Sequence, residues 1–205
     1  MHPNDTPTHG TVRRVVTGHD ADGRAVILED GPAPVVKTDP RRPGYAMTQV
    51  WITDGSPTPV GNGADPTQRP ISLTPPEQGS VIRIIDFPPA AQELRDVDPA
   101  TAASAFSMYG EGKALTSKAA APSRHPFMHR TETIDYAVVL SGEITMLLDD
   151  SEVHLKTGDI LIQRGTNHAW TNRSDAPCRM LFVLVDGAFD PEVGAAIQRF
   201  DAAGA

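Results

Sequence analysis

The 205-residue chain has a single cysteine, Cys178, so it can form no internal disulfide. Nothing in it therefore calls for an oxidising compartment. No apolar run approaches the roughly 20 residues that span a bilayer. The opening Met1-His2-Pro3-Asn4-Asp5 lacks a basic stretch leading into an apolar one, so it does not read as a secretory signal. The expectation is a soluble, cytoplasmic protein. Positive charge is also short: 18 Lys and Arg face 26 Asp and Glu, a formal net charge of −8. An acidic surface disfavours phosphate backbones and anionic lipid, so neither nucleic acid nor a membrane is expected as a partner. A Gly-x-Gly-x-x-Gly turn opening a helix, a Gly-Lys-Ser/Thr phosphate loop and a Gly-x-Ser-x-Gly elbow are all missing. Nucleotide cofactors and elbow-type hydrolases are left without a recognisable site.

What the chain does have is punctuation and enough apolar residues for a core. Hydrophobic content is 39%, with 19 prolines and 17 glycines. That combination predicts short strands joined by turns rather than long helices. Thr11–Thr17 and Arg24–Glu29 read as strands around the hairpin loop 18–23. Asp20-Ala21-Asp22-Gly23 lacks the further ligands of a calcium loop and reads as a turn. Residues 30–46 read as Pro-rich and irregular, Met47–Thr53 and Ser80–Phe87 as strands, and 54–79 as a long loop, either mobile or functional. Ala90–Met108 reads as one or two short helices.

From Pro122 onward strands come at close, even spacing: Ile134–Leu140, Ile144–Leu148, Val153–Lys156, Ile160–Gln163, His168–Asn172 and Arg179–Val185. Such spacing predicts an antiparallel β-barrel or jelly roll. Pro191–Phe200 reads as a terminal helix. One domain over 1–205 is expected. Within it, 122–186 form the barrel, the strands and loops of 11–88 pack on it or swap with a partner, and a helix covers about 190–200.

Two segments carry the chemistry. The first runs from His129 through Asp135 to Gly142, with Asp135 six intervening residues before the glycine. The second runs from Gly158 to Asn172 through Gly165 and His168. Together they resemble the paired motifs of the cupin superfamily. In that comparison Asp135 stands at the usual Glu, His129 at the first His, Thr131 at the second His, and Arg164 at the usual Pro. The resemblance covers about residues 122–186. It implies an all-β cupin barrel whose motif side chains point inward and hold a metal. It also implies a choice among oxygenases, decarboxylases, isomerases, lyases and non-enzymatic binders.

Strand alternation agrees on placement. His129, Thr131, Thr133 and Asp135 share a face if extended, and His168, Trp170 and Asn172 share another. Two imidazoles and one carboxylate are a donor set for Fe²⁺, and suit Zn²⁺, Mn²⁺ or Ni²⁺ as well. His129, Asp135 and His168 are thus the candidate metal ligands, Fe²⁺ first among the ions. The lost second His and the shorter Asp leave open a relic site, with the histidines merely hydrogen-bonded inside the barrel. His125 is expected at a loop edge or in solvent. Trp170, Thr131, Arg164 and Asn167 are the candidate substrate contacts, and Gln163 sits with the last two near the barrel mouth; core packing and turn formation are the competing roles. Cys178 reads as a small buried hydrophobe.

Three functions follow: a metal-dependent, dioxygenase-like oxidoreductase on a small organic molecule, aromatic or polyketide-derived; a non-redox lyase, isomerase or decarboxylase; or a small-molecule binder. The excess of strand and loop over one barrel, and the habit of cupins of sharing edge strands, predict a homodimer.

Overall fold

The computed structural model describes residues 10–40, 42–90, 115–116 and 124–203. Most of the helical span expected at 90–108 lies outside them. The described strands are β1 (Arg13–His19), β2 (Ala25–Pro32), β3 (Val35–Thr38), β4 (Ala46–Thr53), β5 (Ser80–Phe87), β6 (Leu115–Thr116), β7 (His129–Arg130), β8 (Thr133–Ser141), β9 (Glu143–Leu147), β10 (Glu152–Lys156), β11 (Ile160–Arg164), β12 (Ala169–Thr171) and β13 (Cys178–Asp186). One helix, α1 (Pro191–Ala203), follows.

All strand pairs are antiparallel. The main sheet has six strands in the order β11-β8-β13-β5-β4-β3. A second sheet, β10-β9-β12, faces it, and the pair β6-β7 joins that layer through a bridge between His129 and His168. β13 pairs with β8 on one side and β5 on the other, so strands from both ends of the sequence share one sheet. This is a jelly-roll arrangement.

β8 shows why the strands lie as they do. Thr133, Asp135, Ala137 and Val139 alternate inward and are buried, while Ile134, Tyr136 and Leu140 face out. The inward set meets Phe182 and Leu184 of β13, which pack with Met47, Val81 and Met180 in the core. The turn from β8 to β9 needs Gly142: its φ is +77°, and an added Cβ would lie 2.7 Å from the Pro177 carbonyl oxygen. Gly165, φ +60°, plays the same part before His168, with the Phe189 ring 2.5 Å from where a Cβ would sit.

β1 and β2 form a separate ribbon around the turn expected at residues 20–23, where Asp20 Oδ1 accepts from the N–H groups of Asp22 and Arg24. The ribbon leans on the outer side of β4: Arg14 donates to the Val50 carbonyl, sits over Trp51 and pairs with Asp65. The long loop 54–79 is tied down as well. Arg83, from inside the sheet, donates to the carbonyls of Ser72 and Leu73. β3 falls within the stretch expected to be irregular; Pro34 and Pro40 flank it, and its four residues pair with the outer side of β4 as a short edge strand.

α1 begins as its sequence dictates. Asp190 caps it by accepting from the Glu192 N–H, and Pro191 takes the first turn. None of its residues is buried; Arg130 holds it through a two-pronged ion pair with Asp201.

Candidate functional site

A pocket lies between the two sheets. His129, Asp135, His168 and Trp170 all line it. Aromatic and aliphatic walls come from Tyr45, Phe87, Phe127, Phe182 and Leu184, and two arginines, Arg42 and Arg83, complete the polar lining.

The imidazoles meet because His129 of β7 and His168, just before β12, exchange backbone hydrogen bonds: His129 N–H to the His168 carbonyl at 2.9 Å, and the reverse at 2.8 Å. Residues so paired project side chains to one face. Their ring centroids are 4.4 Å apart. Each ring is oriented by its own backbone. His129 Nδ1 donates to the Phe127 carbonyl (3.0 Å) and His168 Nδ1 to the Thr166 carbonyl (2.9 Å). A carbonyl can only accept, so both rings carry the proton on Nδ1 and the lone pair on Nε2. Burial lowers the pKa of both, that of His168 to about 3, with the neighbouring His129 adding to the effect. Both are neutral near pH 7, as metal ligation requires.

Asp135 is buried on β8, opposite Gln163 of β11 and Leu184 of β13. Burial pushes its carboxyl up to about 6, against the Thr133 hydroxyl and the charge of Arg83. Its Oδ1 has no hydrogen-bond partner. Lone pairs on two Nε2 atoms and an orphaned carboxylate oxygen suit a divalent cation in chemistry. In position they are less complete: among the described residues, no three His, Cys, Asp or Glu side chains are grouped to hold a metal ion. The expected ligands thus share one pocket without being drawn into one coordination sphere.

Of the expected substrate contacts, Trp170 stands edge-on to both His168 and Phe182, with centroids 6.1 and 5.5 Å away. Thr131 is buried against the Thr133 hydroxyl at 2.7 Å. It is not part of the pocket lining. Arg164 and Asn167 line a different cavity, beneath α1, where Asn167 donates to Asp149. Gln163 is buried between the strands, and its Nε2 has no partner. His125, expected at a loop edge or in solvent, does lie in the turn before β7 but is buried there: its Nδ1 accepts the Phe127 N–H, and burial lowers its pKa to about 4. The reason is local: in that turn the His125 ring packs against the Phe127 ring, centroids 5.7 Å apart. Cys178 is fully buried and free, its thiol pushed up to about 12 by burial.

Arg42, Tyr45, Arg83 and Phe127 are pocket residues that the motifs do not reveal. Arg83 carried a signal, a charge inside the apolar run Ser80–Phe87. Arg42 and Tyr45 sit in a Pro-rich loop without periodicity and carried none.

Two facing antiparallel sheets around an imidazole-bearing pocket define a barrel of the cupin kind. The cupin domain family matches residues 117–184. Phomopsin biosynthesis cluster protein C′ of Diaporthe leptostromiformis is 34% identical, over 89% of this chain and 82% of its own length. A cupin-domain-containing oxidoreductase of Aspergillus ruber is 29% identical, over 85% of this chain and 72% of its own. A Schizosaccharomyces pombe cupin domain aligns over 90% of this chain and 92% of that one, at 9% identity and a TM-score of 0.41. The chain belongs to the cupin superfamily. No helix among the described residues is long and apolar enough to cross a membrane.

Proposed function

We propose that the chain is a metal-dependent cupin oxidoreductase acting on a small organic intermediate of secondary metabolism. The observation that carries the reading is that two Nε2-presenting imidazoles and an orphaned buried carboxylate line one pocket walled by aromatic rings. The names of the relatives, oxidoreductases and biosynthesis-cluster proteins of fungi, support the reaction class and the setting. His129 and His168 would hold the ion, with Asp135 as third donor and Fe²⁺ the preferred metal. When bound, such an ion supplies a Lewis acid and a site for oxygen.

The chain's own residues do the rest. Phe127 and Thr166 fix the ring tautomers through their carbonyls. Trp170, Phe182 and Phe127 wall the substrate and exclude water. Asp135, ionised above about pH 6, can accept a proton from a substrate carbon or hydroxyl. That last feature also favours a second reading, a non-redox isomerase or lyase in which Asp135 alone moves the proton. The buried, free Cys178 is compatible with the reducing cytoplasm, where we place the protein.

Elemental analysis of protein purified without chelator tests the metal. About one ion per chain is expected, reduced to a small fraction in His129→Ala and His168→Ala, since a site with so few donors has no redundancy. A chain that holds no stoichiometric metal, and gains none from Fe²⁺, Mn²⁺, Ni²⁺ or Zn²⁺, refutes the metal-dependent form. Oxygen uptake separates the redox reading from the non-redox one.

We also propose a homodimer, on the apolar side chains left open on the outer face of β8 and β11.

A further inference from the structure

Thr131 and Thr133 form an arrangement that metal ligation by His129, Asp135 and His168 does not use. Their hydroxyls lie 2.7 Å apart, and both residues are buried. Neither lines the main pocket. Thr133 and Asp135 are two residues apart on the inward side of β8. The Thr133 hydroxyl also hydrogen-bonds the Asp135 carboxyl. Since Oδ1 is without a partner, that bond goes to Oδ2. The proton directions follow. An ionised carboxylate only accepts, and a hydroxyl has one proton to give. Thr133 therefore donates to Asp135, and Thr131 donates to Thr133. Donation into Thr133 polarises its O–H and strengthens the bond that it makes in turn. The branched Thr133 side chain has few rotamers on a strand, so its hydroxyl is held in place.

Asp135 needs such a hold. It is one methylene shorter than the Glu usual at its position, so its carboxylate has less freedom to find a ligand and its orientation must be set. We propose that Thr133 is a positioning residue: with Thr131 behind it, it holds Oδ2 of Asp135 and leaves Oδ1 as the oxygen for a divalent ion in the pocket. This rests on the metal-dependent reading above, and it adds the residues that aim the third donor. Thr131, at the second-His position of the motif, then serves the site as a hydrogen-bond donor, not as a ligand or a substrate contact.

Calorimetric titration of the intact, chelator-stripped protein with Zn²⁺ tests this without turnover. Titration at about pH 8 keeps Asp135 ionised with or without the hydroxyl, so that affinity reports orientation. Thr133→Val keeps the shape and removes the hydroxyl. It should weaken Zn²⁺ binding about 10-fold or more, the usual effect of losing a group that orients a metal ligand. Thr133→Ser should retain most of the wild-type affinity. Thr131→Val should lose less than Thr133→Val, because it acts through one more bond. Thr133→Ala serves as the test if the valine variant does not fold. An unchanged affinity in Thr133→Val, or a loss that Thr133→Ser shares in full, overturns the proposal and leaves the metal-dependent reading standing. A wild type that takes up no Zn²⁺ also overturns it, and the metal-dependent reading falls with it only if Fe²⁺, Mn²⁺ and Ni²⁺ are refused as well.

Discussion

The two faces of the six-stranded sheet break the ordinary pattern in opposite ways. A half-covered antiparallel sheet buries apolar side chains and shows polar ones to solvent. Here the inner face buries Asp135, Gln163, Arg83 and Gln49 among its apolar residues. The outer face of β8 and β11 leaves Ile134, Tyr136, Leu140, Ile160 and Ile162 open. Each departure costs stability, so each needs a compensating role. Polar groups inside the barrel fit the proposed site; apolar groups outside fit the proposed contact between copies. The outer face over β4 and β5 supports this division, because there the β1–β2 ribbon lies over Trp51 and Ile84 is buried.

The comparison is broken most severely through the inner face. Met180, the third residue of β13, is fully buried between β5 and β8. Met180→Ala should cost about 2–5 kcal/mol, the usual loss for a buried large-to-small change. Urea denaturation should still show one transition, because β13 ties both halves of the sequence into one sheet. Two separated transitions would mean that the halves fold as independent units.

That same pairing explains what the sequence displayed and what it hid. β5 and the strands from β8 to β13 were legible, because alternation and turn residues are local. His129, Asp135 and His168 were legible through motif spacing, and they do line one pocket. The opposite wall was not. Arg83 enters the pocket because β5 pairs with β13, which sets it across from Phe182, a partner about half the chain away. Nothing local encodes that register. His168 shows a smaller failure: the strand expected to begin there begins at Ala169, and His168 is held by its bridge to His129. The Arg164–Asn167 turn was legible as a turn, but the wall it faces, α1 with Val193, Ile197 and Phe200, comes from a helix about 30 residues on.

A middle-sized effect sharpens the inner side of the comparison. The Asp135 pKa is raised by burial to about 6 in the folded chain, from an unperturbed 3.8. Such a group favours the folded state fully below the unfolded pKa, and that contribution is lost as pH rises through the folded one. Metal-free wild type should therefore lose stability between about pH 4 and 6 relative to Asp135→Asn. By pH 7 the variant should be the more stable by about 2–3 kcal/mol at most. Parallel denaturation curves in EDTA at pH 4 and pH 7 measure this. If the variant is less stable at pH 7, the carboxylate is compensated in the fold, and its burial is not the cost argued here.

The smallest effect on stability comes from the outer face. Ile160 sits on the edge strand β11 and is 67% exposed. Ile162, its neighbour on that face, lies across from Tyr136 of β8, and Val183 of β13 continues the row. An exposed substitution away from caps and ion pairs shifts stability by about 0.5 kcal/mol or less. Ile160→Lys should therefore leave monomer stability nearly unchanged. Its consequence should be in assembly. An edge strand with an apolar outer row is self-complementary about a two-fold axis, and burying a charge at that axis opposes a like charge from the other copy. Light scattering of the wild type should give about twice the 21.9 kDa chain mass, and that of Ile160→Lys the single chain mass. A wild type that is monomeric at micromolar concentration removes the role assigned to this face. The exposed row would then be an uncompensated departure from the pattern, and the inner face alone would carry function.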